Sequence, residues 1–103
     1  MVAQNELAVA IRDPFPVTTL QTLAISRRHV ATYFDLYEPE RRAISLLLDA
    51  VRAEVIAADK SIEGFNIGIN AGEVAGQTVA HCHVHLIPRR KGDVAEPRGV
   101  YAP

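Results

Sequence analysis

Residues 81–88 are His81-Cys82-His83-Val84-His85-Leu86-Ile87-Pro88, so three histidines alternate with apolar residues over one short run. Side chains at every second position of an extended strand project to the same face, roughly 6.5–7 Å apart. The spacing therefore predicts a strand with three imidazoles on one face, and with Ala80 and the alternating apolar residues on the other. The chain holds one further histidine, His29. Such a concentration of histidines indicates chemistry rather than packing alone.

Length and composition describe one small domain without a strong charge bias. A chain of 103 residues is expected to form a single domain, residues 1–103, with a modest core. The net charge of -1 gives no basic field for nucleic acid, and no apolar run is long enough to span a bilayer. We therefore expect neither nucleic acid nor a membrane as a partner. The single cysteine, Cys82, favours a reducing, cytoplasmic setting, and its apolar phase in the strand predicts burial.

Hydrophobic periodicity divides the chain into strands and one helix. We predict strands at residues 6–12, 20–26, 64–70 and about 78–89, a helix at 39–59, and a loop at 71–76. In the helix, apolar residues from Ile44 to Val55 recur at helical spacing, and Pro39 suits the first turn. The order predicts an α+β domain, an antiparallel β-sheet of about five strands with one main helix packed on one face. The other face is then left free for a site.

Three interpretations compete for the histidine run. It could be a polar surface strand, or a metal site, since imidazole is the commonest zinc ligand. The metal interpretation lacks a carboxylate or thiol partner in sequence, because Cys82 faces the other way. The third interpretation is nucleophilic catalysis on phosphorus, in which one neutral imidazole attacks and a second assists the leaving oxygen. The preceding segment Ala75-Gly76-Gln77-Thr78-Val79 favours phosphorus chemistry, because glycine lets backbone N–H groups approach phosphate oxygens.

The stretch from Gly76 to Asp93 closely resembles the signature of the histidine triad (HIT) superfamily of nucleotide hydrolases and transferases. That signature, His-φ-His-φ-His-φ-φ with φ apolar, fits residues 81–87 at every position. Residues 25–36 also resemble the family's segment between its second strand and its helix, and the resemblance spans Asn5 to Gly99. The trailing Lys91-Gly92-Asp93 is most similar to the branch of the fragile-histidine-triad dinucleoside polyphosphate hydrolases and their small bacterial relatives.

The resemblance implies a role for each histidine. His83 would attack the α-phosphorus and form a nucleotidyl-histidine that water then hydrolyses. His85 would hold the phosphate and assist the leaving group, and His81 would order the nucleophile's ring through hydrogen bonds. The implied nucleotide-binding residues are Asp13 at the ribose, Asn70, and the phosphate loop Gly76, Gln77, Thr78 and Val79. On residue chemistry alone, Asp13 would be a turn-forming aspartate.

The implied activity is cleavage at the α-phosphate of a dinucleoside polyphosphate or nucleoside phosphoramidate, by hydrolysis or by nucleotidyl transfer. The resemblance implies no required cofactor and no catalytic metal, since metal ligation would occupy the nucleophile. Magnesium can still accompany a polyphosphate substrate. The family also implies a homodimer.

Two features depart from the family pattern. The family usually carries a fourth histidine in a Gly-His-Thr-Leu-φ-φ-Pro segment, where this chain has Leu20-Gln21-Thr22. Glutamine forms hydrogen bonds but cannot titrate, so this departure bears on efficiency more than on identity. Only Met1 to Gln4 precede the first strand segment, which implies a more open base pocket. Both departures support a second hypothesis, a nucleotide-binding module with little or no turnover.

Overall fold

The structure, a computed structural model, describes residues 1–93. Its elements in chain order are β1 (Ala3–Gln4), β2 (Ala8–Arg12), β3 (Thr22–Ser26), α1 (Glu38–Ala58), β4 (Ile62–Gly68) and β5 (His83–Arg90). Short 3₁₀ helices at Tyr33–Asp35 and Glu73–Ala75 precede α1 and β5 respectively. The predicted domain boundary at residue 103, and the resemblance beyond residue 93, lie outside the described residues.

The strands form one antiparallel sheet in the order β1-β2-β3-β5-β4. β5 therefore lies inside the sheet, with β3 on one side and β4 on the other. An interior strand has its backbone fixed by ladder hydrogen bonds on both edges, which makes it a rigid platform for side chains. The α+β class, the five-stranded antiparallel sheet and the single main helix are confirmed.

Helix α1 covers one face of the sheet, and small residues let it approach closely. Ala8 and Ala10 of β2 and Ala24 of β3 are at most 1% exposed. The helix contributes the predicted apolar stripe, of which the fully packed members are Ile44, Leu47, Val51 and Val55. Burying each such side chain contributes about 1.5–3 kcal/mol relative to leaving it exposed. Among residues 1–93, no helix has the length and apolar character needed to cross a bilayer.

The opposite face of the sheet carries the histidines at the end of two apolar rows. Strand register aligns these rows as Val9–Ile25–His83 and Ile11–Leu23–His85. Directly paired residues of antiparallel strands project to the same side of the sheet. All six side chains are half-buried, since α1 lies on the other face. The free face that the sequence predicts is therefore present, and it is apolar beside the two imidazoles.

The histidine strand begins later than predicted, at His83 rather than near residue 78. The ladder ends there because the imidazole Nε2 of His81 donates to the Ser26 carbonyl, 3.0 Å away, and occupies it. His81 therefore precedes β5. Ala80 is exposed, so the prediction that it faces the core is wrong. The predicted burial is confirmed for the residues inside the alternation, Cys82, Val84 and Leu86.

Glu40 joins the first turn of α1 to the segment that leaves β3. Its buried carboxylate accepts hydrogen bonds from Arg28 Nε at 3.0 Å, Arg28 Nη2 at 2.8 Å and the Tyr37 N–H at 2.8 Å. These bonds, the two from Arg28 foremost, hold the pKa of Glu40 below its ordinary value of 4.5. A lowered carboxyl pKa contributes stability that is complete above the unfolded-state pKa and is lost as the pH falls through the folded-state pKa.

We expect Glu40→Gln to lower the Tm most above about pH 5, and the gap to wild type to narrow toward about pH 3. Thermal unfolding followed by circular dichroism across this range measures the gap. Glu54→Gln is the matched control, because Glu54 pairs with Arg12 at 2.7 Å but has a half-exposed side chain. Exposed pairs contribute little, so the control should change the Tm only slightly. A Glu40→Gln gap that does not vary with pH would contradict this assignment.

Candidate active site

The rings of His83 and His85 lie together on the open face of the sheet. Their centroids are 4.9 Å apart and the ring planes meet edge to face, at 76°. Both side chains are half-buried, so a ligand on this face reaches them. Their separation follows from the strand, because alternate residues of β5 project to the same side.

The tautomer of His83 follows from one hydrogen bond. Its Nδ1 lies 2.9 Å from the main-chain carbonyl oxygen of His81. A carbonyl oxygen only accepts, so Nδ1 carries the proton and Nε2 of the neutral ring keeps a lone pair. A neutral imidazole with a free Nε2 lone pair is a competent nucleophile.

His81 orders His83 through its main chain, and its own ring is used elsewhere. The ring bonds to Ser26 as described above and lies 4.6 Å from the ring of His29, centroid to centroid. The two imidazoles that contact each other on the open face are those of His83 and His85. His81 precedes β5, which starts at His83.

The electrostatic setting of His85 differs from that of an exposed histidine. Burial lowers the pKa of His85 below its usual 6.5, and the neighbouring His83 lowers it further. The Asp13 carboxylate acts in the opposite direction. His85 is therefore neutral at pH 7 in the unliganded protein, and a phosphate beside it would favour uptake of a proton.

Asp13 lies immediately after β2 and is held by Gln21. Gln21 Nε2 donates to Asp13 Oδ2 at 2.9 Å, and Gln21 Oε1 accepts the Val17 N–H at 2.7 Å. The second carboxylate oxygen of Asp13 accepts the Phe15 N–H at 2.9 Å. Asp13 is thus a turn-forming aspartate, as its chemistry predicts, and it is also close enough to influence His85.

The predicted phosphate loop is tied to the protein through Gln77. Gln77 Oε1 accepts the Gly72 N–H at 2.7 Å, and Nε2 donates to the carbonyls of Ala31 at 2.6 Å and Val79 at 2.9 Å. Both amide hydrogens are used, so the side chain fixes the loop instead of presenting a donor to a ligand. Thr78 and Val79 are exposed beside it.

The loop borders an open cleft of about 560 Å³. Its walls include Thr32, Gly76, Gln77 and Thr78. Asp13 lies near enough to His85 to act on its charge, and Asn70 lies beside Gly76 of the loop.

Gly76 connects the loop to Asn70. Its φ is 94° and its ψ is 10°, a left-handed conformation that L side chains rarely adopt. A Cβ at this position would lie 3.4 Å from Asn70 Nδ2. Asn70 itself lies just past β4, in a loop, rather than inside a strand as predicted.

We expect Gly76→Ala to lower the free energy of unfolding by about 1–2 kcal/mol through its left-handed backbone. The added methyl group would also lie in van der Waals contact with the Asn70 amide and restrict its access to a ligand, so AMP binding should weaken by about fivefold, the loss of one neutral hydrogen bond. Urea denaturation and calorimetric titration measure the two effects. Gly92→Ala is the control, because Gly92 also has a positive φ, 75°, but a Cβ there meets no atom of residues 1–93 within 4 Å. Equal AMP affinity in both variants would contradict a nucleotide contact by Asn70.

Within residues 1–93, the side chains form no group of three or more histidine, cysteine, aspartate or glutamate residues suited to a metal ion. The single cysteine, Cys82, is buried on the helix side of the sheet, and burial raises its thiol pKa. On the open face, the structure shows two imidazoles in contact and one nearby carboxylate, that of Asp13.

The sequence relatives of this chain include HIT-like proteins. The chain is 34% identical over 88 residues to an uncharacterised HIT-like protein of Mycoplasma genitalium, covering 85% of this chain and 62% of that one. It is 38% identical over 101 residues to an asymmetrical bis(5'-nucleosyl)-tetraphosphatase of Schizosaccharomyces pombe, covering 96% of this chain and 54% of that protein. The chain thus spans about three fifths of the length of the curated relatives it matches.

Solved structures and the family pattern indicate the same family as these relatives do. A HIT family protein from Bacillus anthracis superposes with a TM-score of 0.84 at 35% identity, covering 89% of this chain and 64% of that one. Residues 1–92 match the HIT domain. The chain therefore belongs to the histidine triad (HIT) family.

Proposed function

We propose that this chain is a nucleotide hydrolase or nucleotidyl transferase acting at the α-phosphate of a dinucleoside polyphosphate or nucleoside phosphoramidate. One observation carries the proposal: the bond from His83 Nδ1 to the His81 carbonyl leaves the Nε2 lone pair available on the open face. The S. pombe relative, a dinucleoside tetraphosphatase by name, supports the same substrate class.

In the first step, His83 Nε2 forms a bond to the α-phosphorus as the bond from phosphorus to the leaving group breaks with its electron pair. Protonated His85, whose neighbour would now be a negatively charged phosphate, gives its proton to the leaving oxygen or nitrogen. In the second step, water attacks the phosphorus and the phosphorus–nitrogen bond breaks. His85 accepts the proton from that water, which restores both imidazoles. An alcohol or phosphate acceptor in place of water would give nucleotidyl transfer.

The apolar rows of the open face support the placement of the nucleoside. A base laid on Ile11 and Leu23 would bury apolar surface next to His85, with which these residues share a row. Asp13, at the end of β2, then lies on the ribose side. The proposal needs no resident cofactor, and Mg²⁺ would arrive with a polyphosphate substrate.

A homodimer is part of the same proposal. β4 is an edge strand of the sheet, and its Ile67 is 58% exposed. An edge strand with an exposed apolar residue supports pairing with a second copy of the chain.

A nucleotide-binding module without turnover is the second candidate, and the geometry of Gln77 favours it. The amide hydrogens of Gln77 both bond to main-chain carbonyls, so no side-chain donor of Gln77 is directed at a phosphate. Such a loop would bind a nucleotide through backbone N–H groups alone.

Incubation with diadenosine tetraphosphate and with adenosine phosphoramidate separates the candidates, with products followed by chromatography and AMP binding by calorimetry. The enzyme proposal expects AMP release that depends on His83. AMP binding with neither substrate cleaved would favour the binding module. Stoichiometric zinc by elemental analysis, with folding lost on chelation, would favour a metal site instead.

A further inference from the structure

Gln21 is buried, yet its amide makes specific polar contacts at both ends. It is 3% exposed, and it occupies the position where the family usually has a fourth histidine. Its Oε1 accepts the Val17 N–H and its Nε2 donates to Asp13 Oδ2. Its main-chain carbonyl also accepts the Asp13 N–H at 2.9 Å. Gln21 therefore fixes both the backbone and the carboxylate of Asp13.

The hydrogen bonds to Asp13 leave it a defined acceptor capacity. Each oxygen of an ionised carboxylate has two lone pairs, and here each oxygen accepts one bond, from Phe15 N–H and from Gln21. Within residues 1–93, one lone pair per oxygen therefore remains unused. The plane of the carboxylate is set by two donors on different parts of the chain, so the two remaining acceptors have a fixed direction. Asp13 is half-exposed and the following Pro14 and Phe15 are exposed, so a ligand can reach it.

A fixed carboxylate with one acceptor on each oxygen matches two neighbouring hydroxyl donors. A vicinal cis-diol, such as the 2′ and 3′ hydroxyls of a ribonucleotide, offers two O–H groups at the spacing of the two carboxylate oxygens. A 2′-deoxyribonucleotide offers only one. Sites built to hydrogen-bond a hydroxyl discriminate strongly against an analogue that lacks it, because the polar group is left unpaired.

We infer that Gln21 is a positioning residue that holds Asp13 as a two-point acceptor for the ribose diol, and so sets selectivity for ribonucleotides over 2′-deoxyribonucleotides. The inference rests on the proposed function in that the ligand is a nucleotide. It assigns this chain's departure from the family pattern a role in specificity. Asp13 touches the substrate, and Gln21 acts through Asp13.

The test compares adenosine phosphoramidate with its 2′-deoxy counterpart in kcat/KM, and AMP with 2′-deoxy-AMP in Kd. Wild type should prefer the ribose form by about 10- to 100-fold, the range for hydrogen bonds to a charged group. Gln21→Leu and Asp13→Asn should each reduce the preference to within about threefold. The double variant should reduce it no further, since both act on one contact.

Thr22→Val is the structural control. Thr22 is buried next to Gln21, and its hydroxyl bonds to Arg12 and to the Leu20 carbonyl rather than to Asp13. It should lose stability and keep the ribose preference. An unchanged preference in Gln21→Leu, or an equal loss in Thr22→Val, would overturn the inference.

A second variant tests the same inference if Gln21→Leu does not fold. Gln21→Glu keeps an acceptor for the Val17 N–H but sets a second carboxylate against Asp13 at about pH 8, and should likewise lose the preference. The Kd ratio needs no turnover, so a protein that binds with ribose preference but never cleaves refutes only the catalytic proposal. Binding of neither nucleotide overturns both.

Discussion

His83→Asn should abolish turnover, with kcat reduced at least about 1,000-fold, because the variant lacks the nitrogen that would form the bond to phosphorus. Asparagine suits this test because its side-chain amide can still donate to the His81 carbonyl, the partner of His83 Nδ1. The local backbone should therefore keep its arrangement. Steady-state hydrolysis of diadenosine tetraphosphate gives the rate, and calorimetry gives the affinity for AMP.

The affinity separates a chemical role from a structural one. We expect the Kd for AMP to stay within about threefold of wild type, since a group that acts only in the chemical step contributes little to ground-state binding. The control is His29→Asn, which removes an exposed imidazole whose ring contacts that of His81. It should retain most activity. Turnover by His83→Asn at a tenth of the wild-type rate or faster would show that the nucleophile lies elsewhere.

His85→Asn should lower kcat by about 100- to 10,000-fold on substrates with a basic leaving group, the usual contribution of a general acid. The loss should shrink to less than about tenfold on a nucleotide p-nitrophenyl ester, because that leaving group needs no proton. Parallel assays of the two substrate types measure the difference. An equal loss on both would show that His85 holds the phosphate without transferring a proton.

The pH profile checks the same assignment through its sign. Burial and His83 lower the pKa of His85 in the free protein, and a group needed in its protonated form loses activity as the pH rises through its pKa. The ratio kcat/KM should therefore decrease as the pH rises, and this decrease should occur at a pH below neutral. The Asp13→Asn variant removes the charge that raises the His85 pKa, so its profile should shift to lower pH. A shift to higher pH would contradict the electrostatic account.

The fold could be predicted because the helix and the histidine strand each show a clear hydrophobic period. The apolar stripe from Ile44 to Val55 fixed one helix face, and strict alternation around His83 fixed which side of the strand is buried. Boundaries were less predictable, because they depend on distant partners. The strand start at His83 depends on His81 reaching Ser26, 55 residues earlier in the chain. Hydrophobic periodicity contains no signal for such a contact.

The site was predictable as a set of residues, but not as an arrangement. Gln77 donates a hydrogen bond to the Ala31 carbonyl, 46 residues away in the chain. No local sequence pattern indicates that its amide would be hydrogen-bonded there. Leu20 is a similar case, since it adopts a φ of 73° that leucine rarely takes. The family usually has glycine at this position, and that glycine was the available sequence signal for a positive φ here. The partial packing of Leu20 against the core helps to offset the strain.

The central claim is that His83 carries the nucleotidyl group during turnover, and locating that group tests it most directly. The protein is mixed with excess diadenosine tetraphosphate, denatured at alkaline pH within the first turnover, digested, and sequenced by tandem mass spectrometry. The account predicts an adenylyl group on His83, absent from the His83→Asn protein. Product released in a single turnover with no adduct at any time, or an adduct on His81 or His85 instead, would contradict it.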